Sequence, residues 1–204
     1  MSMTGGNATR ALALGLFLAA LHCSPGEGFG APTKVAFLAD GTPLVADGYD
    51  NSRVAVLARG GGVVRAFGMP GGGPGELDLV HGIAVDRDDR IYVADRRNAR
   101  VQVFERDGTH RASWQGPRIG RPFAVAVSGE RVFVVDGGDQ DPERPAARVV
   151  VLDREGRLLG EFSGFGTGPG QLSEPHDLVV DAQGRVYVAE LGTGRVQRFR
   201  PRSP

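Results

Sequence analysis

The sequence repeats the same pattern four times, at a spacing of about 40 to 50 residues, and this periodicity restricts the possible folds more than any other feature. The copies span residues 32–68, 80–116, 122–162 and 175–200. Each begins with a short apolar segment and an Asp/Gly turn, followed by a β-branched segment that ends in an acidic residue and a third segment that begins at an arginine. Short apolar segments separated by tight turns predict antiparallel strands. One such unit cannot bury both faces of its sheet, so we expect the copies to stack around an axis as blades of an all-β propeller.

The composition supports this fold class and excludes some functions. Glycine occurs 32 times in 204 residues, which favours tight turns over helices. Lys plus Arg and Asp plus Glu both number 24, so the net charge is zero and nothing indicates a nucleic-acid partner. The single cysteine, Cys23, excludes an internal disulfide framework.

Two interpretations of residues 1–30 remain open. Arg10 followed by the apolar run 11–21 has the length of a signal-peptide core and is too short to span a bilayer, which would make the protein secreted or periplasmic. Residues 24–30, however, are similar to the loops at 69–79 and 166–174 that precede later copies. Under that interpretation the segment is the remnant of an upstream blade, and the chain is an N-terminally shortened propeller.

The last copy ends near Phe199 without a fourth strand. Propellers often complete a blade with a strand from the other terminus, and Leu12–Leu18 is the candidate here. An arc that does not close would leave strand edges exposed.

Two histidines occupy the same place in different copies. The aligned residues at the start of the innermost strands are Thr33, His81, Phe123 and His176. Side chains at this place are expected to converge on the propeller axis, where two imidazoles from different blades could form a nitrogen-rich zinc site. The alternative is that each histidine is a hydrogen-bonded loop residue. His110 lacks this register and is predicted to lie in a solvated turn.

Several segments together resemble the peptidyl-α-hydroxyglycine α-amidating lyases, a family of NHL-repeat propellers. They are ADGYDNSRVAV (46–56), VHGIAV (80–85), YVADRRNARVQVF (92–104), GDQDPE (138–143) and EPHDLVV (174–180). The resemblance implies a ring of about six blades, of which this chain holds four. It also implies an enzyme that cleaves a peptidyl or N-acyl α-hydroxyglycine into an amide and glyoxylate.

The resemblance further implies roles for five residues. His81 and His176 would be two of three histidine ligands to a catalytic zinc, and Asp177 would bind a structural calcium. Tyr49 would take the proton of the substrate hydroxyl, and Arg96 would hold the substrate carboxylate. The alternatives are that Tyr49 packs between blades and that Arg96 pairs with a neighbouring aspartate, Asp95 or Asp47.

The sequence also departs from the family pattern. The third zinc histidine and a second catalytic arginine belong to an earlier blade, which has no counterpart before Pro32, so the site could be inactive. Asp50 replaces a cysteine of the animal members, and Glu174 replaces a methionine. The competing hypothesis is therefore a non-catalytic NHL module, exported or surface-associated, that holds a protein or carbohydrate partner on the propeller face.

Overall fold

The computed structural model describes residues 28–138 and 146–200, which form four separate antiparallel sheets. Each sheet corresponds to one copy of the repeat, and we number them blades 1 to 4. Blade 1 contains β1 (Lys34–Phe37), β2 (Pro43–Asp47), β3 (Arg53–Leu57) and β4 (Val63–Phe67). Blade 2 contains β5 (Val80–Val85), β6 (Ile91–Asp95), β7 (Arg100–Phe104) and β8 (His110–Gln115). Blade 3 contains β9 (Pro122–Ser128), β10 (Arg131–Asp136), β11 (Arg148–Asp153) and β12 (Leu158–Phe162). Blade 4 contains β13 (Pro175–Val180), β14 (Val186–Glu190) and β15 (Arg195–Phe199).

The predicted repeat, the all-β class and the strand order are confirmed. In every blade the strands pair with their sequence neighbours, as expected for a chain that turns back through Asp/Gly hairpins. Within the described ranges blade 4 has three strands, and β15 pairs with β14. The Leu12–Leu18 strand and the signal-like segment predicted for residues 1–30 fall outside the described residues, apart from 28–30.

Apolar layers between consecutive blades form the core. One layer joins blades 1 and 2, a second joins blades 2 and 3, and a third joins blades 3 and 4. In the first layer, Leu44 and Val54 of blade 1 pack with Ile83 and Ile91 of blade 2. Each middle blade therefore buries both faces, one against each neighbour, which is the packing that the period-2 alternation of its strands requires.

A buried ion pair recurs in every blade between the end of the second strand and the start of the third. The pairs are Asp47 with Arg53, Asp95 with Arg100, Asp136 with Arg148, and Glu190 with Arg195. The acidic partner also accepts a backbone N–H from the loop that precedes the blade, for example from Asp78 to Asp95 at 2.7 Å. The acidic and arginine positions of the repeat are thus explained by blade structure.

The innermost strands of blades 2, 3 and 4 share one irregularity, which shapes the candidate site. In blade 2, Val80 pairs with Asp95 and Gly82 pairs with Ala94, so that His81 is an extra residue between two ladder pairs. Phe123 and His176 are the extra residues at the equivalent place in β9 and β13. A β-bulge of this kind turns a side chain away from the regular alternation of the strand. These three side chains accordingly meet one another, as described below.

The part of the chain that the structure describes contains no helix long and apolar enough to cross a membrane.

Candidate active site

The two predicted zinc ligands lie side by side. The ring centroids of His81 and His176 are 4.6 Å apart, and the ring planes cross at 78°. The ring of Phe123 contacts both, at centroid distances of 4.9 Å to His81 and 5.7 Å to His176. The prediction that the shared register brings imidazoles from separate blades together therefore agrees with the geometry.

One hydrogen bond of His81 fixes which of its nitrogens carries the proton. Nδ1 lies 2.7 Å from the carbonyl oxygen of Phe123. Since a carbonyl can only accept, Nδ1 carries the proton, and Nε2 keeps its lone pair. A histidine that binds a metal commonly has its second nitrogen held in this way.

Both imidazoles are held in the neutral form. Burial lowers the pKa of His81 to about 4; the bond to the Phe123 carbonyl and the charge of Asp177 oppose this shift, whereas His176 and Arg96 add to it. Burial also lowers the pKa of His176, opposed by Asp177 and reinforced by Arg96 and Lys34. Near neutral pH, both rings can therefore offer a lone pair to a metal without first releasing a proton.

The phenol of Tyr49 faces His81. Its Oη lies 3.3 Å from Nε2 of His81, and the two rings meet edge to face at 5.9 Å. The Tyr49 side chain is 45% exposed, and its contact with His81 joins blade 1 to blade 2.

Gly48 sets the position of Tyr49. A Cβ atom at residue 48 would lie 1.7 Å from the carbonyl oxygen of Val80, the residue before His81. The backbone of blade 1 can approach the start of β5 only because residue 48 has no side chain.

We expect Gly48→Ala to separate blades 1 and 2 at the site and to lower the melting temperature by several degrees, because backbone must move to remove the overlap. Differential scanning fluorimetry measures this change. Gly60→Ala is the matched control, since a Cβ there would meet nothing within 4 Å. Equal melting temperatures for the two variants would contradict the expected overlap.

Arg96 lies on the ring of Phe123. Its guanidinium carbon is 3.8 Å from the ring centroid, a cation–π contact. The carboxylates of Asp95 and Asp47, the alternative partners from sequence, form ion pairs with Arg100 and Arg53. Through Phe123, Arg96 is held next to both histidines, and its charge acts on the pKa of each.

The carboxylate of Asp177 is bound by a lysine from another blade. Nζ of Lys34 lies 2.5 Å from Oδ1 of Asp177 and also contacts Oδ2, and Oδ1 accepts the N–H of Leu178 at 2.8 Å. Calcium requires six to eight oxygen ligands. A carboxylate with an ammonium group against both oxygens and an amide donor on one does not fit the calcium-ligand role implied by the resemblance.

His81 and His176 fit the implied zinc site as two of its nitrogen donors. Catalytic zinc usually has three protein ligands. Within 28–138 and 146–200, no group of three or more His, Cys, Asp or Glu side chains could enclose a metal ion. The described residues therefore offer two of the donors that such a site would need.

His110 takes no part in this site and differs from its prediction. It begins strand β8 instead of lying in a turn, and it is half-buried. Its Nε2 lies 2.9 Å from the hydroxyl of Ser113, and its ring meets Phe104 edge to face.

The comparisons with known proteins agree with this architecture. The pattern of the NHL repeat matches residues 77–104 and 172–199, which cover the core of blades 2 and 4. The chain therefore contains NHL repeats in these two blades. This NHL-repeat protein is 32% identical, over 219 aligned residues, to peptidyl-alpha-hydroxyglycine alpha-amidating lyase 1 of Drosophila melanogaster, and the match covers 98% of the chain and 40% of the relative. It is 31% identical to NHL repeat-containing protein 3 of Homo sapiens, with 87% of the chain and 50% of the relative covered.

A solved streptogramin B lyase structure has a similar fold. It superposes with a TM-score of 0.64 at 12% identity, over 86% of the NHL-repeat protein and 53% of that chain. At this identity the likeness concerns the fold alone. The NHL-repeat protein spans about half or less of each of these three proteins.

Sequence reasoning missed the roles of two residues of the NHL-repeat protein at this site. Phe123 aligns with the histidines, but its contributions are a carbonyl for His81 and a ring for Arg96, neither of which the sequence indicates. Lys34 follows the aligned residue Thr33 directly, and this position could have been recognised as the register equivalent of Asp177.

Proposed function

We propose that this NHL-repeat protein is an amidating-lyase-like propeller whose axial site cleaves N-acyl-α-hydroxyglycines into an amide and glyoxylate. The observation that carries the proposal is the meeting of three residues from three blades: Tyr49 Oη lies 3.3 Å from His81 Nε2, and the ring of His176 lies 4.6 Å from that of His81. Similarity to the Drosophila lyase along nearly the whole chain supports it.

The proposed reaction requires a base for the substrate hydroxyl and a cation for the substrate carboxylate. The proton leaves the hydroxyl of the carbinolamide, its C–N bond breaks with the electron pair going to nitrogen, and the nitrogen takes a proton to become the amide. Tyr49, once deprotonated to a phenolate, would accept the hydroxyl proton, the work of a positioned general base. Arg96 would grip the carboxylate of the glycine moiety through two parallel N–H bonds, as a planar guanidinium can.

His81 and His176 would hold the catalytic zinc. When bound there, zinc would supply a Lewis acid that stabilises negative charge on the hydroxyl oxygen. The two rings are neutral near pH 7, and Nδ1 of His81 is fixed by the Phe123 carbonyl. In this proposal a third donor completes the ligand set from outside the described residues.

The proposal includes a ring of six blades, in which two further blades cover the ends of the arc. Val35 on β1 is 50% exposed, whereas its equivalent in blade 2, Ile83, is 2% exposed. Val196 on β15 is 66% exposed, whereas its equivalent in blade 2, Val101, is fully buried. Both ends of the arc thus present apolar residues at positions that a neighbouring blade covers elsewhere, which favours further packing there.

The direct test is glyoxylate release by purified full-length protein, in which the proposed ring of six blades is complete. Protein stripped of metal is expected to bind zinc, and the zinc-loaded protein is expected to release glyoxylate from N-benzoyl-α-hydroxyglycine. The double variant His81→Ala/His176→Ala is expected to lose both. His110→Ala is the matched control and should behave as wild type, because His110 contacts Ser113 and Phe104 instead of the site.

The second candidate is a non-catalytic NHL module that holds a protein partner on the propeller face. The chain is about as similar to human NHL repeat-containing protein 3 as to the Drosophila lyase, and this similarity supports the second candidate. Zinc-loaded protein that releases no more glyoxylate than the double variant would contradict the lyase proposal. Failure to bind zinc as well would leave the non-catalytic module.

A further inference from the structure

Each innermost strand has one residue directly after the aligned residue (Thr33, His81, Phe123 or His176). These four following residues lie at the same level along the propeller axis. These residues are Lys34, Gly82, Ala124 and Asp177, and each pairs with the residue just before the acidic end of the second strand in its own blade. The two middle blades carry the smallest side chains there. The two end blades carry opposite charges.

The small residues and the charged residues make different contacts between blades. A Cβ on Gly82 would lie 2.9 Å from the Cα of Ala124, so the innermost strands of blades 2 and 3 touch through their backbones. Blades 1 and 4 are joined at this level by the charged side chains. Nζ of Lys34 lies against both oxygens of Asp177, 143 residues away in the sequence.

This ion pair is partly shielded from solvent. The side chains of Lys34 and Asp177 are 26% and 41% exposed. The ammonium lies in the notch between the two carboxylate oxygens, which is the place where a bound metal cation would contact a bidentate carboxylate. The single positive charge of Lys34 also neutralises the Asp177 carboxylate. A divalent ion at this place would have to displace the lysine, or its own charge would have no counter-ion there.

We propose that Lys34 takes the place of a metal cation beside Asp177, so that the contact between the innermost strands of blades 1 and 4 is stable without calcium. The inference concerns stability and does not depend on the lyase proposal. A chain built in this way gains nothing from calcium, because its carboxylate already has a counter-ion from the same polypeptide.

The test compares melting temperatures of metal-free protein with and without millimolar CaCl2. For the wild type we expect calcium to shift the melting temperature by less than about 1 °C. Lys34→Met keeps the length of the apolar stem and removes the charge, and it is expected to lower the melting temperature by about 2–4 °C, the change that about 1 kcal/mol produces in a domain of this size. Asp177→Asn should cause a similar loss, and the double variant should lose little more than either single variant.

Arg111→Met is the matched control. Arg111 forms an ion pair with Glu105 within blade 2, with side chains 47% and 42% exposed, so its loss should shift the melting temperature by less than about 1 °C. A rise of several degrees on adding calcium to the wild type, abolished by Asp177→Asn, would overturn the inference. An unchanged melting temperature for Lys34→Met, or additive losses in the double variant, would also overturn it. Zinc and substrate are absent throughout, so the outcome is separate from that of the lyase assay.

Discussion

Replacing Tyr49 by phenylalanine is expected to lower the rate of glyoxylate release by about 10²–10⁴-fold, the range for loss of a positioned general acid or base. The variant keeps the aromatic ring, its edge-to-face contact with His81 and its volume. It removes only the hydroxyl that lies 3.3 Å from His81 Nε2. The loss should therefore appear in kcat, with KM little changed, since the proton transfer occurs in the transition state.

The matched control is Tyr187→Phe. The Tyr187 hydroxyl donates to Asp181 at 3.2 Å in the hairpin between β13 and β14, so the variant also removes one tyrosine hydroxyl but leaves the axial site intact. Its kcat should remain within a few-fold of wild type. If Tyr49→Phe and Tyr187→Phe turn over substrate equally well, the phenol of Tyr49 is not the base.

Asp95→Ala is expected to lower the free energy of unfolding by about 3–5 kcal/mol, the cost of removing one partner from a buried ion pair. The carboxylate is fully buried and accepts from Arg100 Nε at 2.7 Å, from the N–H of Asp78 at 2.7 Å and from Gln102 at 3.0 Å. Without it, the Arg100 guanidinium, only 7% exposed, loses its counter-ion inside the protein. Urea unfolding followed by tryptophan fluorescence measures the change.

Glu105→Ala provides the comparison for Asp95→Ala. Glu105 is also acidic and also pairs with an arginine of blade 2, but it is 42% exposed. Its loss should cost less than about 1 kcal/mol. Comparable costs for the two variants would show that the repeated acidic residue does not hold the blade together.

The architecture could be predicted from sequence because every blade repeats the same local signals. Turn residues fixed the hairpins, and alternating apolar residues fixed which faces are buried, so strand order followed with little need for long-range information. The meeting of His81 and His176 could be predicted for the same reason, since equal register places equivalent side chains at equivalent points around the axis.

The parts that could not be predicted depend on contacts between distant residues. The pairing of Lys34 with Asp177 joins residues 143 positions apart, and no local pattern specifies it. The segment ADGYDNSRVAV (46–56) contributes to the family resemblance as a whole, but its residues have different roles. Asn51 and Arg53 bind Asp47, at 2.8 and 2.9 Å, and so belong to the structure of the blade, while Tyr49 alone among these residues reaches the histidines.

At the start of three inner strands, the identity of the bulged residue is independent of the strand pairing around it. His81, Phe123 and His176 do not all have the same side chain. In all three blades, however, the residues on either side of them pair with equivalent positions of the second strand. Their identities can therefore vary without disturbing the strands that carry them. Substitutions at these positions can therefore change the side chains at the centre of such a propeller one blade at a time, without a change in the sheets.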